Sequence, residues 1–215
     1  LTAEAWMLVD DIMLSNDATP RTYTVGDLPE NGSGETNGYV LVWEDLFNTG
    51  NLDVNNWNVE VNGDGGGNGE LQYYRSENVS VGTEPATGRG CLILTAKKEN
   101  YGGKPATSGR VNSANKATFT YGKIEASIKM PYTANGLWPA FWTLGADVAT
   151  NPWPACGEID ILEMGHVNGI NAGTQNRYFN GACHWGTSYN GGAYPNHANA
   201  VTNSYSVQGD FHLFT

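Results

Sequence analysis

In the second half of the stretch Thr118–Met130, apolar and polar side chains alternate strictly, with Ile124, Ala126, Ile128 and Met130 on one parity and Lys123, Glu125, Ser127 and Lys129 on the other. Alternation with period two suits a strand that has one face on a core and one in water, and a helix cannot sort it. It predicts a half-buried antiparallel strand. Short apolar runs at Tyr39–Val42, Trp57–Val61, Cys91–Lys97 and Glu158–Glu163 predict further strands. The chain between them is punctuated by Gly, Asn and Pro. With 28 Gly, 9 Pro and only 15% charged residues, it lacks the Glu, Lys and Arg surface that a helical bundle needs. Gly and Asn tolerate the positive φ of tight turns, so many short strands joined by turns fit instead. Seven Trp, 11 Tyr and 6 Phe within 40% hydrophobic content can fill a core, which argues against disorder. The expected class is all-β, and 215 residues fit one sandwich.

The net charge of −11 narrows the partners. A chain this acidic is repelled by a nucleic acid duplex, and sulfated or uronic-acid polymers are disfavoured for the same reason. A neutral polymer is favoured. No apolar run approaches the ~20 residues of a membrane span. The chain opens at Leu1 without a signal segment and reads as a mature or excised piece, any export signal lying outside it. Cys91, Cys156 and Cys183 show no CxxC spacing and read as buried thiols acting as small apolar residues, one pair plus a spare being the alternative. No pair of histidines has HxH or HExxH spacing. Residues 1–17 alternate on one parity and read as a candidate closing strand of an upstream β-sandwich module. Residues 18–38, with Pro20, Pro29 and several Gly, read as a linker, and residues 39–215 as the globular domain. The run NGDGGGNGE at 62–70 is a flexible loop without the strand and helix context of a phosphate cradle.

Chemistry concentrates in Gly157-Glu158-Ile159-Asp160-Ile161-Leu162-Glu163. On a strand, Glu158 and Asp160 share one face, while Ile159 and Ile161 point to the core. Strict alternation would bury Glu163. A β-bulge near Ile161–Leu162 would return it to the side of the other two acids. The two Glu Cα atoms would then stand four strand steps, roughly 13 Å, apart. Glutamates leaning inward from there could reach the ~5–5.5 Å carboxyl spacing of a retaining glycosidase. In that chemistry one carboxylate attacks the anomeric carbon and its partner protonates the departing oxygen. Crowding Asp160 between the glutamates would keep one proton in the site near neutrality. The plainer alternative is a solvated face that happens to carry three acids, and this segment alone does not decide between them.

Neighbouring runs add context. In Gly136–Trp142, Trp138 and Trp142 share a parity and offer flat faces for sugar rings, although Trp142 also suits a core. The run Tyr178–Trp185 brings His184 onto a strand beside the acids. The run Asn68–Tyr74 carries amides and phenols suited to sugar hydroxyls, and Arg110 offers a forked cation. Taken together, GEIDILE resembles the active-site signature of glycoside hydrolase family 16 in its bulged ExDxxE form. LVWEDLF (41–47), NGELQYY (68–74), SGRVNS (108–113), YGKIEASIKMP (122 region), GLWPAFW (136–142) and HWG (184–186) follow in the family's order.

The resemblance spans about Val40 to Thr215. It implies a concanavalin-like β-jelly-roll sandwich with an open cleft and retaining endo-hydrolysis, in which Glu158 is the nucleophile, Glu163 the acid/base and Asp160 the assisting residue. It also implies that Asn68, Glu70, Arg110, Trp138, Trp142 and His184 line the sugar sites. The bulged form is similar to the laminarinase-like and agarase-like branches, with NGELQYY and GLWPAFW favouring the former. The expected substrate is therefore β-1,3-glucan, with mixed-linkage β-1,3/1,4-glucan second. An agarase-like galactan hydrolase and a non-catalytic carbohydrate-binding jelly roll are the alternatives. No cofactor is expected for catalysis. Relatives often carry a structural calcium, for which Glu44, Asp45 and Gly50 are the candidates. By the same resemblance, further C-terminal strands are missing from this chain and could be supplied by a second polypeptide. The expected location is secreted, cell-surface or periplasmic.

Overall fold

The computed structural model describes the backbone of residues 4–15, 35–36, 39–132 and 136–215, with side chains from residue 41 onward. In chain order the strands are β1 (Glu4–Ser15), β2 (Glu35–Thr36), β3 (Tyr39–Asp45), β4 (Asn58–Val59), β5 (Gln72–Tyr74), β6 (Val79–Thr83), β7 (Gly90–Lys97) and β8 (Ala106–Ser108). They continue with β9 (Val111–Asn112), β10 (Lys123–Lys129), β11 (Ala140–Leu144), β12 (Glu158–Glu163), β13 (Tyr178–His184), β14 (Asn196–Thr202) and β15 (His212–Phe214). One helical turn, α1 (Val167–Asn171), follows β12.

Nine of these strands form one sheet, whose main path runs β15-β10-β1-β7-β8-β5. A second sheet has the order β11-β12-β13-β14 and is antiparallel throughout. Leu92, Ala126, Ile128 and Phe214 of the large sheet meet Leu162 of the small one in a single buried cluster, with Phe47, Trp57, Met130, Met164 and Val207. Phe179 and Phe214 join the sheets edge to face, their ring centres 6.3 Å apart. The result is a two-layer sandwich, as the alternation predicts. Among the described residues no helix is long and apolar enough to cross a membrane.

Several expectations change. Residues 4–15 do form a strand, but where the sequence suggested a separate upstream module, the structure pairs β1 with β3, β7 and β10 of the large sheet. Most of the 18–38 linker lies outside the described residues. Strand β10 is not half-buried: Glu125 and Ser127, on its polar parity, are as buried as Ala126 and Ile128. Lys123 lies 2.7 Å from Glu125, and Lys129 lies 3.1 Å from Glu84. Pairing of this kind lowers the cost of covering charges. The cysteines are all free thiols, but only Cys91 is buried, and Cys183 is exposed.

Candidate active site

Strand β12 carries the three acids, and its pairing shows how they come together. Against β11, Phe141 faces Leu162 and Trp142 faces Asp160, so Ile161 is an extra residue. Against β13, Asp160 faces Ala182 and Glu163 faces Asn180, again one residue too many on β12. This is the β-bulge that the spacing predicts, and Leu162 goes fully into the core as a result. Ile161 packs against the same core. Ile159, also expected there, is instead 54% exposed, because the core cluster reaches only the Ile161–Leu162 end of the strand. Gly181 lies opposite the bulge, where an added Cβ would sit 3.0 Å from the Asp160 carbonyl oxygen. The strand can swell there because its partner has no side chain.

The bulge leaves Glu163 on the side of Glu158 and Asp160. Trp138 donates its indole N–H to Glu163 Oε1 at 2.8 Å, and Asn180 donates from Nδ2 to Oε2 at 2.9 Å. Trp138 precedes β11 and is 56% exposed, so it has both a free ring face and a fixed N–H. The Met164 N–H, donated to the Pro139 carbonyl at 3.1 Å, ties this segment to the end of β12. His184 faces Glu158 across β12 and β13, with Nε2 3.2 Å from Asp160 Oδ2. Donor atoms of Glu158, Asp160 and His184 all lie within 4.8 Å of one another.

Asp160 is the buried member of the triad. Burial, then the neighbouring charges of Glu158 and Glu163 and a hydrogen bond with Glu158, push its carboxyl up to about 8. It therefore holds a proton at neutral pH, the sharing that crowded acids require. The unfolded chain releases that proton near the ordinary value of ~3.9. The folded state thus binds more protons in between, so this group's stabilising contribution is full below about 4 and is lost as pH rises to about 8. Asp160→Asn should remove that loss. Its melting temperature at pH 8–9 is expected to exceed that of the wild type by on the order of 5 °C, the gap closing toward pH 4. Calorimetry across pH checks this, and a constant gap would contradict it.

The remaining candidates form a second cluster. Glu70 accepts from the Tyr74 hydroxyl at 2.6 Å and Gln72 Nε2 at 2.9 Å, both on Oε2. Asn68, with its amide oriented to suit its neighbours, donates to Glu70 Oε1 at 3.2 Å and to the Gly65 carbonyl at 3.0 Å. Glu70 thus anchors the Gly-rich loop, both its oxygens accepting from protein donors. At Gly66, with φ +57°, a Cβ would fall on the Glu70 carboxylate. Burial and the Glu70 carboxylate push the Tyr74 hydroxyl up to about 12. Arg110 lies with its guanidinium carbon 4.9 Å from the Trp142 ring centre. Trp142 is Asp160's cross-strand partner, which links this cluster to the acids.

The calcium candidates divide: Glu44 Oε2 is buried without a hydrogen-bond partner, as suits an oxygen kept for a cation, whereas Asp45 is already engaged. Asp45 accepts from the Phe47 N–H at 3.0 Å and from the Trp57 indole N–H at 2.8 Å, donors that repel a cation. Glu44, its strand neighbour, projects to the opposite face. Three further site residues escaped the sequence reading. Asn180 shares the parity that places His184, so alternation could have found it. Trp153 and Tyr194 flank His184 at ring-centre distances of 6.0 and 5.7 Å, but they come from loops, where no periodicity marks them.

Comparison with known proteins agrees with this geometry. A family model described as the XgeA-like, catalytic GH16 domain matches residues 57–200. The chain is 41% identical over 131 residues to a beta-glucanase of Rhodothermus marinus, covering 58% of this chain and 43% of that protein. Among solved structures it resembles a GH16 protein of a Bacteroides ovatus mixed linkage glucan PUL, in complex with a G4G4G3G product. The TM-score is 0.67 at 40% identity, over 78% of this chain and 66% of that one. It also resembles the laminarinase catalytic domain of Thermotoga maritima MSB8, with a TM-score of 0.65 at 37% identity, over 80% of this chain and 67% of that one. The chain spans between 22% and 46% of the length of four curated relatives it matches. A jelly-roll sandwich, a bulged strand with three acids on one side, and a family match over most of its length place this chain in glycoside hydrolase family 16.

Proposed function

We propose that the protein is a retaining endo-hydrolase of β-1,3-glucan, with mixed-linkage β-1,3/1,4-glucan as its second substrate. The observation that carries this reading is the bulge that turns Glu163 to the side of Glu158 and Asp160. In this reading the Glu158 carboxylate attacks the anomeric carbon while Glu163 gives its proton to the departing glycosidic oxygen. A glycosyl ester on Glu158 results. Glu163 then takes a proton from water, the water oxygen attacks the same carbon, and Glu158 leaves as carboxylate. Two inversions give net retention. Asp160, protonated at neutral pH and hydrogen-bonded to Glu158, keeps excess negative charge from building up beside the nucleophile.

Both Glu163 oxygens accept hydrogen bonds in the resting protein, which holds the carboxyl in place while its acid proton is free to be given to the glycosidic oxygen. The Trp138 indole, exposed and already bonded to the acid, is suited to stack on the sugar whose bond is cut. The named relatives act on or come from β-glucan systems, which supports the choice of glucan over galactan. A purely binding role would leave the alignment of the two glutamates without a purpose. A polymer substrate cannot cross a membrane, which supports action outside the cytoplasm.

The test is incubation with laminarin, barley glucan and agarose, followed by assay of reducing ends. Laminarin should give the fastest release, barley glucan less and agarose none. NMR of the first product formed should show the β-anomer. Release from agarose alone would replace this reading with the galactanase one, and no release with intact binding would make the protein a lectin. The rate on laminarin should also fall on the alkaline side as the triad's shared proton is lost near pH 8.

A further inference from the structure

Glu60 stands out although it touches none of the three acids. It follows β4, and its N–H donates to the Arg110 carbonyl at 3.0 Å, extending the β4–β9 ribbon by one step. Glu60 and Arg110 are thereby placed opposite each other. Arg110 Nε lies 3.1 Å from Glu60 Oε1, and Asn112 donates from Nδ2 to the same oxygen at 3.0 Å. On its other side, Arg110 Nη1 lies 3.9 Å from Glu70 Oε1. The guanidinium thus sits between two carboxylates, over the face of Trp142 and near the Tyr74 ring.

A lone arginine stacked on an indole beside a sugar cleft is a receptor for carboxylate and sulfate groups. With two carboxylates on it, the cluster carries a net formal charge of −1. The guanidinium keeps N–H donors that Glu60 does not occupy, and it is held in one orientation. We infer that Glu60 is a positioning residue that, together with Glu70, aims the Arg110 guanidinium over Trp142 and cancels its charge, so that this wall of the cleft accepts neutral sugars and rejects anionic ones. The inference rests on the hydrolase reading above and deepens it. It gives the selectivity for neutral polymer a local cause, distinct from the acidity of the whole chain.

The test compares laminarin with carboxymethylated laminarin at 0.15 M salt, where charges beyond about 8 Å are largely screened. Glu60→Gln should raise KM on laminarin about tenfold, more than it lowers kcat, since positioning of a sugar donor is lost. The ratio of kcat/KM on the carboxymethylated polymer to that on laminarin should rise at least about threefold, because Arg110 is partly uncovered. Glu60→Asp, which keeps the charge, should leave that ratio at the wild-type value. Adding Arg110→Gln to Glu60→Gln should abolish the rise. If Glu60→Gln fails to fold, Glu70→Gln removes the other carboxylate and should shift the ratio the same way.

An equal loss on both polymers would mark Glu60 as structural only and overturn the inference. A rise that persists in the double variant would overturn it too. If the wild type cleaves neither polymer, the hydrolase reading fails by itself. The charge effect is then read by affinity electrophoresis, where carboxymethylated laminarin should retard Glu60→Gln more than the wild type, and equal retardation would refute it.

Discussion

Glu158→Gln should lower kcat on laminarin by at least about 10⁴-fold while leaving oligosaccharide binding within a few-fold of the wild type. The amide is nearly isosteric with the carboxylate and can still pair with Asp160, so the fold and the cleft persist. What is lost is the negatively charged oxygen that must bond to the anomeric carbon. Glu163→Gln removes proton transfer instead and should cost about 10²–10⁴-fold, least on substrates with an activated leaving group. Truncation to Ala with added azide separates the roles by stereochemistry. Azide entering the space left by Glu158 attacks from the nucleophile's side and gives the α-glycosyl azide. Azide entering beside a missing Glu163 displaces Glu158 from its ester and gives the β-azide. The opposite pairing would reverse the assignment, and full turnover by Glu158→Gln would remove this residue from the mechanism.

Gly181→Val should reduce kcat about 10²-fold or more, although Gly181 touches no substrate. Its position opposite the bulge is defined by the carbonyl oxygen of Asp160, which a Cβ would meet at 3.0 Å. The contact is with backbone, so relief requires the bulge itself to move, and Glu163 moves with it. Gly181→Ala should show a smaller loss of the same kind, graded by size. Both are read by kcat with KM on laminarin, alongside a thermal melt. A large drop in melting temperature with unchanged kcat in the folded fraction would show that the bulge tolerates the methyl group. Catalysis lost without loss of folding is the expected pattern.

The acids were legible because burying an unpaired glutamate is expensive. Once Glu163 fell on the core parity, a bulge was the cheapest way to bring it out, and Leu162 took its place inside. His184 was legible as a residue of the strand that follows the acids, and it pairs with Glu158 there. Trp138 was legible as an aromatic face, but its N–H contact with Glu163 depends on a loop that no pattern describes. The second face of β10 was not legible either. Glu125 and Lys129 look solvent-facing in sequence, and one of their partners, Glu84, lies 45 residues from Lys129. Local alternation reports which side a residue occupies, whereas the identity of its neighbours is decided by chain segments far away in sequence.

The swelling in β12 also bears on how such a site can change through descent. Loss of a single codon at Ile161 would leave Glu158, Asp160 and the last glutamate two positions apart, on one parity by simple alternation. An in-frame deletion therefore preserves the grouping of the acids and alters their pitch and aim. Length variation in this strand is a route by which descendants could change the angle between the acids while keeping all three on one side of the sheet.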